Sequence, residues 1–182
     1  MVFERLVIGG LETNCYILKS DNIGIILDPG AEPQVIIKAI VGLNIQLILV
    51  SHRHYDHTDA LKAIKMVTKA PAAIHPADWT DNFDKKLHDG QSIDFGDEKI
   101  NVIHTPGHTP GGCCFLIGSV LFSGDTLFPG GPGNTSFSGG DEQAILKSIR
   151  EKLLVLPDET EVYPGHGPGT TIGRERSLYE GH

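Results

Sequence analysis

Apolar residues fall along this chain in short blocks, and their spacing switches between the strand and helix periods. Val2–Ile8, residues 14–19 and Ile23–Leu27 read as strands joined by short turns, and Asp28-Pro29-Gly30 ends the third. Residues 33–41 carry Val35, Ile36, Ile37 and Ile40 at helical spacing, with Gly42 as the stop. The run 45–50 is apolar except for Gln46, which predicts a buried strand. Asp59 is expected to cap a helix whose stripe is Leu61, Ile64 and Val67. Residues 72–75 read as a short strand, and Pro76 opens a helical turn. Ser92–Phe95, residues 99–104, Cys113–Ile117 and residues 120–123 are strand-like and separated by Gly or Pro turns. Residues 141–154 form the clearest helix, with Ile145, Ile149 and Leu153 as its stripe and Asp141 and Glu142 favouring its N-terminus. Residues 161–163 give a last strand. The Gly-rich stretch 129–140 reads as the wall of a site. This order predicts an α/β fold, an αββα four-layer sandwich of two mixed sheets with helices outside.

The length of 182 residues fits one domain, 1–182, with a sizeable core, and no internal boundary is visible. A net charge of −8 disfavours nucleic acid and anionic membrane as partners and leaves a small-molecule substrate. No apolar run approaches the roughly 18 residues of a membrane span. Residues 1–5 lack the basic start of a secretory signal. Cys15, Cys113 and Cys114 are odd in number, and two are adjacent, so a disulfide framework is not expected and a reducing cytoplasm is. Cys113 and Cys114 are expected on opposite faces of one strand, as packing residues. The oligomeric state is left open.

The chemistry concentrates in His52-Arg53-His54-Tyr55-Asp56-His57, directly after the buried strand 45–50. Four potential metal ligands occupy six residues. His52 and His54, two apart in extended chain, project to the same side. Asp56 and His57, being adjacent, point in different directions, which suits a second metal beside the first. A bound zinc lowers the pKa of its water from 15.7 to about 7, so such a site makes a nucleophile at neutral pH. Three later segments each set a potential ligand after a strand and beside glycine: Pro106-Gly107-His108-Thr109, Ser123-Gly124-Asp125-Thr126 and Pro164-Gly165-His166-Gly167. His75, His88 and His104 lie off these positions, and His104 is expected to hydrogen-bond at a strand end. His182, the last residue, is expected to be disordered.

Together these four segments resemble the metallo-β-lactamase superfamily, and more closely the single-domain proteins related to glyoxalase II. Asn14-Cys15-Tyr16, Asp28-Pro29-Gly30 and Thr170-Thr171-Ile172-Gly173 are weaker matches. The resemblance implies two divalent metal ions, zinc first, with iron or manganese also fitting this donor set. One ion would take His52, His54 and His108, and the second Asp56, His57 and His166. Asp125 and a hydroxide would bridge them, and Asp56 would orient or deprotonate the attacking water. For Asp28, orienting a ligand histidine and being a turn residue are equally open readings. The implied activity is thioester hydrolysis, of an S-acyl glutathione or similar small acyl thioester, by that hydroxide. A mononuclear iron persulfide dioxygenase using His52, His108 and Asp125 is the alternative, and a non-catalytic metal-binding protein the third. The chain departs from full-length glyoxalase II in having 16 residues after His166 where that enzyme adds a helical glutathione-binding domain. It also lacks the Gly-Arg element that many relatives carry after the position of Asp125. A true β-lactamase is disfavoured by Asp125, and a nuclease by short length and acidity.

Overall fold

A computed structural model describes residues 1–179. The first sheet contains β1 (Val2–Ile8), β2 (Thr13–Ser20), β3 (Ile23–Leu27), β4 (Asn44–Leu49), β5 (Ala72–Ile74) and β6 (Lys85–Lys86), in that spatial order. The second contains β7 (Ser92–Phe95), β8 (Glu98–His104), β9 (Cys113–Ile117) and β10 (Val120–Gly124). After β10 come a small hairpin, β11 (Leu127–Phe128) with β12 (Gly131–Pro132), and then β13 (Glu161–Pro164) and β14 (Thr170–Thr171), which extend the second sheet in the order β14-β13-β10-β9-β8-β7. The helices are α1 (Pro33–Ala39), α2 (Tyr55–Thr58), α3 (Leu61–Thr68), α4 (Glu142–Ser148) and α5 (Ile172–Tyr179).

Three separate apolar interfaces define four layers. Ile36, Ile40, Leu61 and Ile64 of the first helical layer pack on Ile17, Ile26 and Ile48. Leu18, Leu27, Leu49, Val102, Phe115 and Phe122 fill the space between the sheets. Ile145, Ile149, Leu153 and Ile172 cover Cys114, Leu121 and Val162 on the far side. Each middle strand therefore buries both faces, which is why residues 45–50 show no polar alternation. At β4 the register shifts where Gly24 pairs with Ile45 and Ile25 with Leu47. Beyond the bulge Leu47 and Leu49 face the second sheet and Ile48 the helices. Cys113 and Cys114 point to opposite faces, and all three cysteines are free and buried.

Several elements differ from the sequence expectation. Asp59 caps no helix: α2 ends on it, and α3 starts after Ala60, whose N–H is taken by the Pro29 carbonyl at 3.1 Å. Val67 is 55% exposed. Steps of three residues each lag the helix period by about 60°, so Val67 rotates off the face that Leu61 and Ile64 bury. The helix expected over 141–154 is α4 followed by a wider π turn, Ile149–Leu153. The four-residue spacing of Ile145, Ile149 and Leu153 still keeps all three buried. The tail beyond Thr171 forms α5, anchored by Ile172 in the third interface. His182 lies outside the described residues.

The strand directions place the site. β3, β4 and β5 are parallel. β10 is parallel to β13, and β8 shares their direction through antiparallel β9. The carboxyl ends of β4, β8, β10 and β13 carry the four ligand segments.

Candidate metal centre

His52 follows β4, and His54 is held extended just before α2 (φ −61°, ψ 146°). Asp56 and His57 lie within α2, His108 in the turn after β8, Asp125 directly after β10, and His166 directly after β13. The fold brings all seven together. Ligand atoms of His52, His54 and His108 lie within 4.8 Å of one another, as do those of Asp56, His57 and His166. In the first set His54 Nδ1 is 3.1 Å from His52 Nε2 and 2.9 Å from His108 Nε2. In the second, His166 Nε2 is 3.2 Å from Asp56 Oδ2 and 3.3 Å from His57 Nε2, and His57 Nε2 is 3.4 Å from Asp56 Oδ2. Ligand atoms at 2.0–2.1 Å around a tetrahedral ion sit about 3.3 Å apart, so both sets have the edge lengths of a metal polyhedron. Asp125 stands between them. Its Oδ2 is 3.4 Å from His108 Nε2 and 3.6 Å from His166 Nε2, and its Oδ1 is 3.5 Å from His57 Nε2. Oδ1 is buried without a hydrogen-bond partner among the described residues, as an oxygen meant for a cation would be.

The far sides of four of the rings explain why their Nε2 atoms face inward, whereas His54 turns its Nδ1 inward. His52 Nδ1 lies 2.9 Å from Ser51 Oγ, which itself donates to Asp28 Oδ2 at 2.7 Å. His57 Nδ1 lies 3.0 Å from Asp28 Oδ2, His108 Nδ1 2.6 Å from the Asn134 carbonyl, and His166 Nδ1 2.9 Å from the Leu11 carbonyl. With Nδ1–H donated outward, each Nε2 presents its lone pair to the centre. Asp28 therefore serves both triads, directly through His57 and through Ser51 to His52. It is also a strained turn residue, at φ +51°. The two readings left open for it hold together.

The electrostatics favour positive charge here. Burial resists protonation of His57, but Asp28, Asp125 and Asp56 outweigh it and push the ring up to about 9. Burial also acts against Asp56 ionising, yet His166 and His57 hold its carboxyl well below the usual carboxylate range. A hydrogen bond to Asp56 raises His166. Burial, reinforced by the neighbouring rings, lowers His52 and His54. His52 and His54 kept neutral beside an ionised Asp56 are in the protonation states that a divalent cation needs.

Glycine makes the convergence possible. A Cβ on Gly165 would meet Asp125 Oδ1 and stand 2.7 Å from His57 Cε1. Asn14 Nδ2 donates to the Pro164 and Gly167 carbonyls at 2.9 Å each, and Tyr16 Oη to the Pro164 carbonyl at 2.6 Å, so the segment around Asn14 fixes the loop bearing His166. The sequence model of the Metallo-beta-lactamase superfamily matches residues 8–166, which include every one of these side chains.

The chain belongs to the metallo-β-lactamase superfamily. It is 32% identical over 204 residues to the hydroxyacylglutathione hydrolase GloC of Haemophilus influenzae, covering 97% of this chain and 95% of that one. Its structure matches that of the B3 metallo-β-lactamase BLEG-1 with a TM-score of 0.90 at 32% identity, over 99% of this chain and 100% of that one. It also matches the di-iron-bound form of TTHA1623, with a TM-score of 0.85 at 33% identity over 95% and 96% of the two chains.

A cavity of about 280 Å³ opens onto five of the seven, His54, Asp56, His108, Asp125 and His166, and is walled by Leu11, Tyr55 and Phe137. None of these three was singled out from sequence, nor were Ser51, the Leu11 and Asn134 carbonyls, or Asp78. Buried Asp78 accepts from Thr109 Oγ1 at 2.6 Å, Gly111 N at 3.0 Å and Arg53 N at 3.1 Å, tying the first ligand loop to the loop of His108. His104 Nε2 donates to the Pro110 carbonyl at 2.9 Å, and its ring stacks on His75 away from the centre. No helix among the described residues is long and apolar enough to cross a membrane.

Proposed function

We propose that this protein is a metal-dependent hydrolase of small acyl thioesters, holding two divalent ions, zinc first. The observation that carries this is the pair of complete ligand triads with Asp125 set between them. The resemblance to a hydroxyacylglutathione hydrolase over nearly the whole chain supports the thioester. The three free, buried cysteines are in keeping with a reducing cytoplasm.

In this reading His52, His54 and His108 would hold one ion and Asp56, His57 and His166 the other, with Asp125 placed to serve either. Bound there, the ions supply Lewis acidity for the carbonyl and acidify water. Asp56 Oδ2, ionised and steadied by the Thr13 hydroxyl at 3.2 Å, accepts a proton from the attacking water. The water oxygen bonds to the acyl carbon, the C–S bond breaks, and the sulfur leaves as thiolate and takes up a proton, giving carboxylic acid and thiol. Asp28 keeps His57 and, through Ser51, His52 in the tautomer that this arrangement requires.

The test is metal content per chain in protein purified without added metal or chelator, followed by assay against thioesters, esters, lactones and β-lactams. About two metals per chain and thioester turnover is the expected result, and a metal-loaded protein inert to the whole panel refutes it. A second reading, an iron dioxygenase, rests on His52, His108 and Asp125 as a two-histidine, one-carboxylate set, His108 and Asp125 being 3.4 Å apart. One iron per chain with oxygen uptake on glutathione persulfide would select it.

A further inference from the structure

The wall of the metal-centre cavity is apolar where a glutathione site needs charge. Leu11, Tyr55 and Phe137 stand 53%, 68% and 54% exposed around the ligand side chains. Exposed large apolar groups gathered at one opening mark a binding surface. Phe137 faces the ligand rings edge-on, its centroid 5.4 Å from that of His54 and 6.3 Å from that of His108. Its loop is fixed in place. The Asn134 carbonyl takes the His108 ring, and Arg53 Nη2 donates to the Ser138 carbonyl at 3.1 Å.

Among the described residues no lysine or arginine lines this cavity, while Asp56 and Asp125 do. Two arginines on segments next to the ligand loops are already engaged. Arg53 serves Ser138 and lies 3.9 Å from Asp78, and Arg5 donates to the Gly167 carbonyl at 3.1 Å in an adjoining groove that also contains Glu12. A glutathione thioester brings two carboxylates and an ammonium, and against this apolar wall they would be desolvated with no charged side chain to pair them, Asp56 and Asp125 being committed to the ions in the hydrolase reading. At about 280 Å³ the cavity is also at the small end of ligand sites.

We propose that the site selects uncharged thioesters of short apolar acyl groups, the acyl chain lying against Leu11, Tyr55 and Phe137, and discriminates against glutathione conjugates. The proposal rests on the hydrolase reading above and narrows its substrate class.

The experiment uses the metal-loaded protein and two substrate series: N-acetylcysteamine thioesters of acetyl, propanoyl and butanoyl, and the same acyl groups on glutathione. In the neutral series kcat/KM should rise about fourfold per methylene, the value of one buried CH₂. Each neutral thioester should exceed its glutathione counterpart by about tenfold or more, since the charged ends of glutathione find no partner along the apolar wall. Phe137→Ala should flatten the acyl-length dependence, and Phe137→Arg should raise kcat/KM on the glutathione series alone. Calorimetric titration with S-butyl-N-acetylcysteamine and S-butylglutathione, thioethers that cannot be hydrolysed, reads the same preference as affinity. Preference for glutathione thioesters, or their loss on Arg5→Ala, overturns the proposal and leaves the hydrolase standing. Absence of all hydrolysis sinks the hydrolase, and the two thioether affinities then still decide whether the cavity favours the neutral ligand.

Discussion

Asp28 Oδ2 lies 3.0 Å from His57 Nδ1, and the same oxygen accepts from the Ser51 hydroxyl at 2.7 Å. One carboxylate thus steers a histidine in each triad. Asp28→Asn keeps the shape and the tolerance for positive φ but removes the charge. Metal affinity should fall about 10- to 100-fold. Chelator competition against the wild-type protein measures it, and an unchanged affinity would show that Asp28 is a turn residue only.

Asp56→Asn should leave the circular dichroism spectrum intact and lower kcat by about 10²- to 10⁴-fold, the usual worth of a positioned general base. A variant with full activity and full metal content would remove Asp56 from the mechanism.

Gly165→Ala adds one methyl group where Asp125 and His57 approach the backbone. The fold has no need of that glycine elsewhere, so the expected result is a folded protein with reduced metal content by elemental analysis. Wild-type stoichiometry in the variant would mean that the two side chains shift freely.

Asp78 satisfies three donors in a buried position. Asp78→Ala strands all three, each at about 1–3 kcal/mol, so urea unfolding should show a loss of about 3 kcal/mol or more. A loss under about 1 kcal/mol would mean that water replaces the carboxylate.

Asp84 titrates below its ordinary value of 3.8 because the Ala72 N–H and Lys65 Nζ favour the ionised form. A depressed folded pKa adds stability above the unfolded value and loses it as pH falls through the folded one. Asp84→Asn should therefore melt below wild type at neutral pH, and the gap should narrow as pH falls below 3.8 and through the depressed folded value. A gap that is constant with pH would assign the effect to the hydrogen bond geometry alone.

The ligand set was legible because its donor types are chemically rare together and each follows an apolar run. The strands were legible for a related reason: with both faces buried, Leu47 to Val50 and Cys113 to Ile117 stand out as unbroken apolar blocks. What escaped detection acts through the main chain or over long range. The Leu11 and Asn134 carbonyls carry no residue signature. Asp78 looks like any acidic residue after a proline until Thr109 and Gly111 fold onto it. Asp59 has the composition of a cap, but the Pro29 carbonyl already holds the start of α3. Phe137, in a Gly- and Ser-rich loop, gives no hint that it faces His54.

At Leu11 and Asn134 the two halves of one residue have separate duties. The carbonyl secures a histidine, and the side chain belongs to a surface loop. Any amino acid with the same backbone path offers the same carbonyl. Substitution at these positions can therefore reshape the cavity wall while leaving the histidine rings where they are. Insertions and deletions lack that freedom, because they move the carbonyl itself.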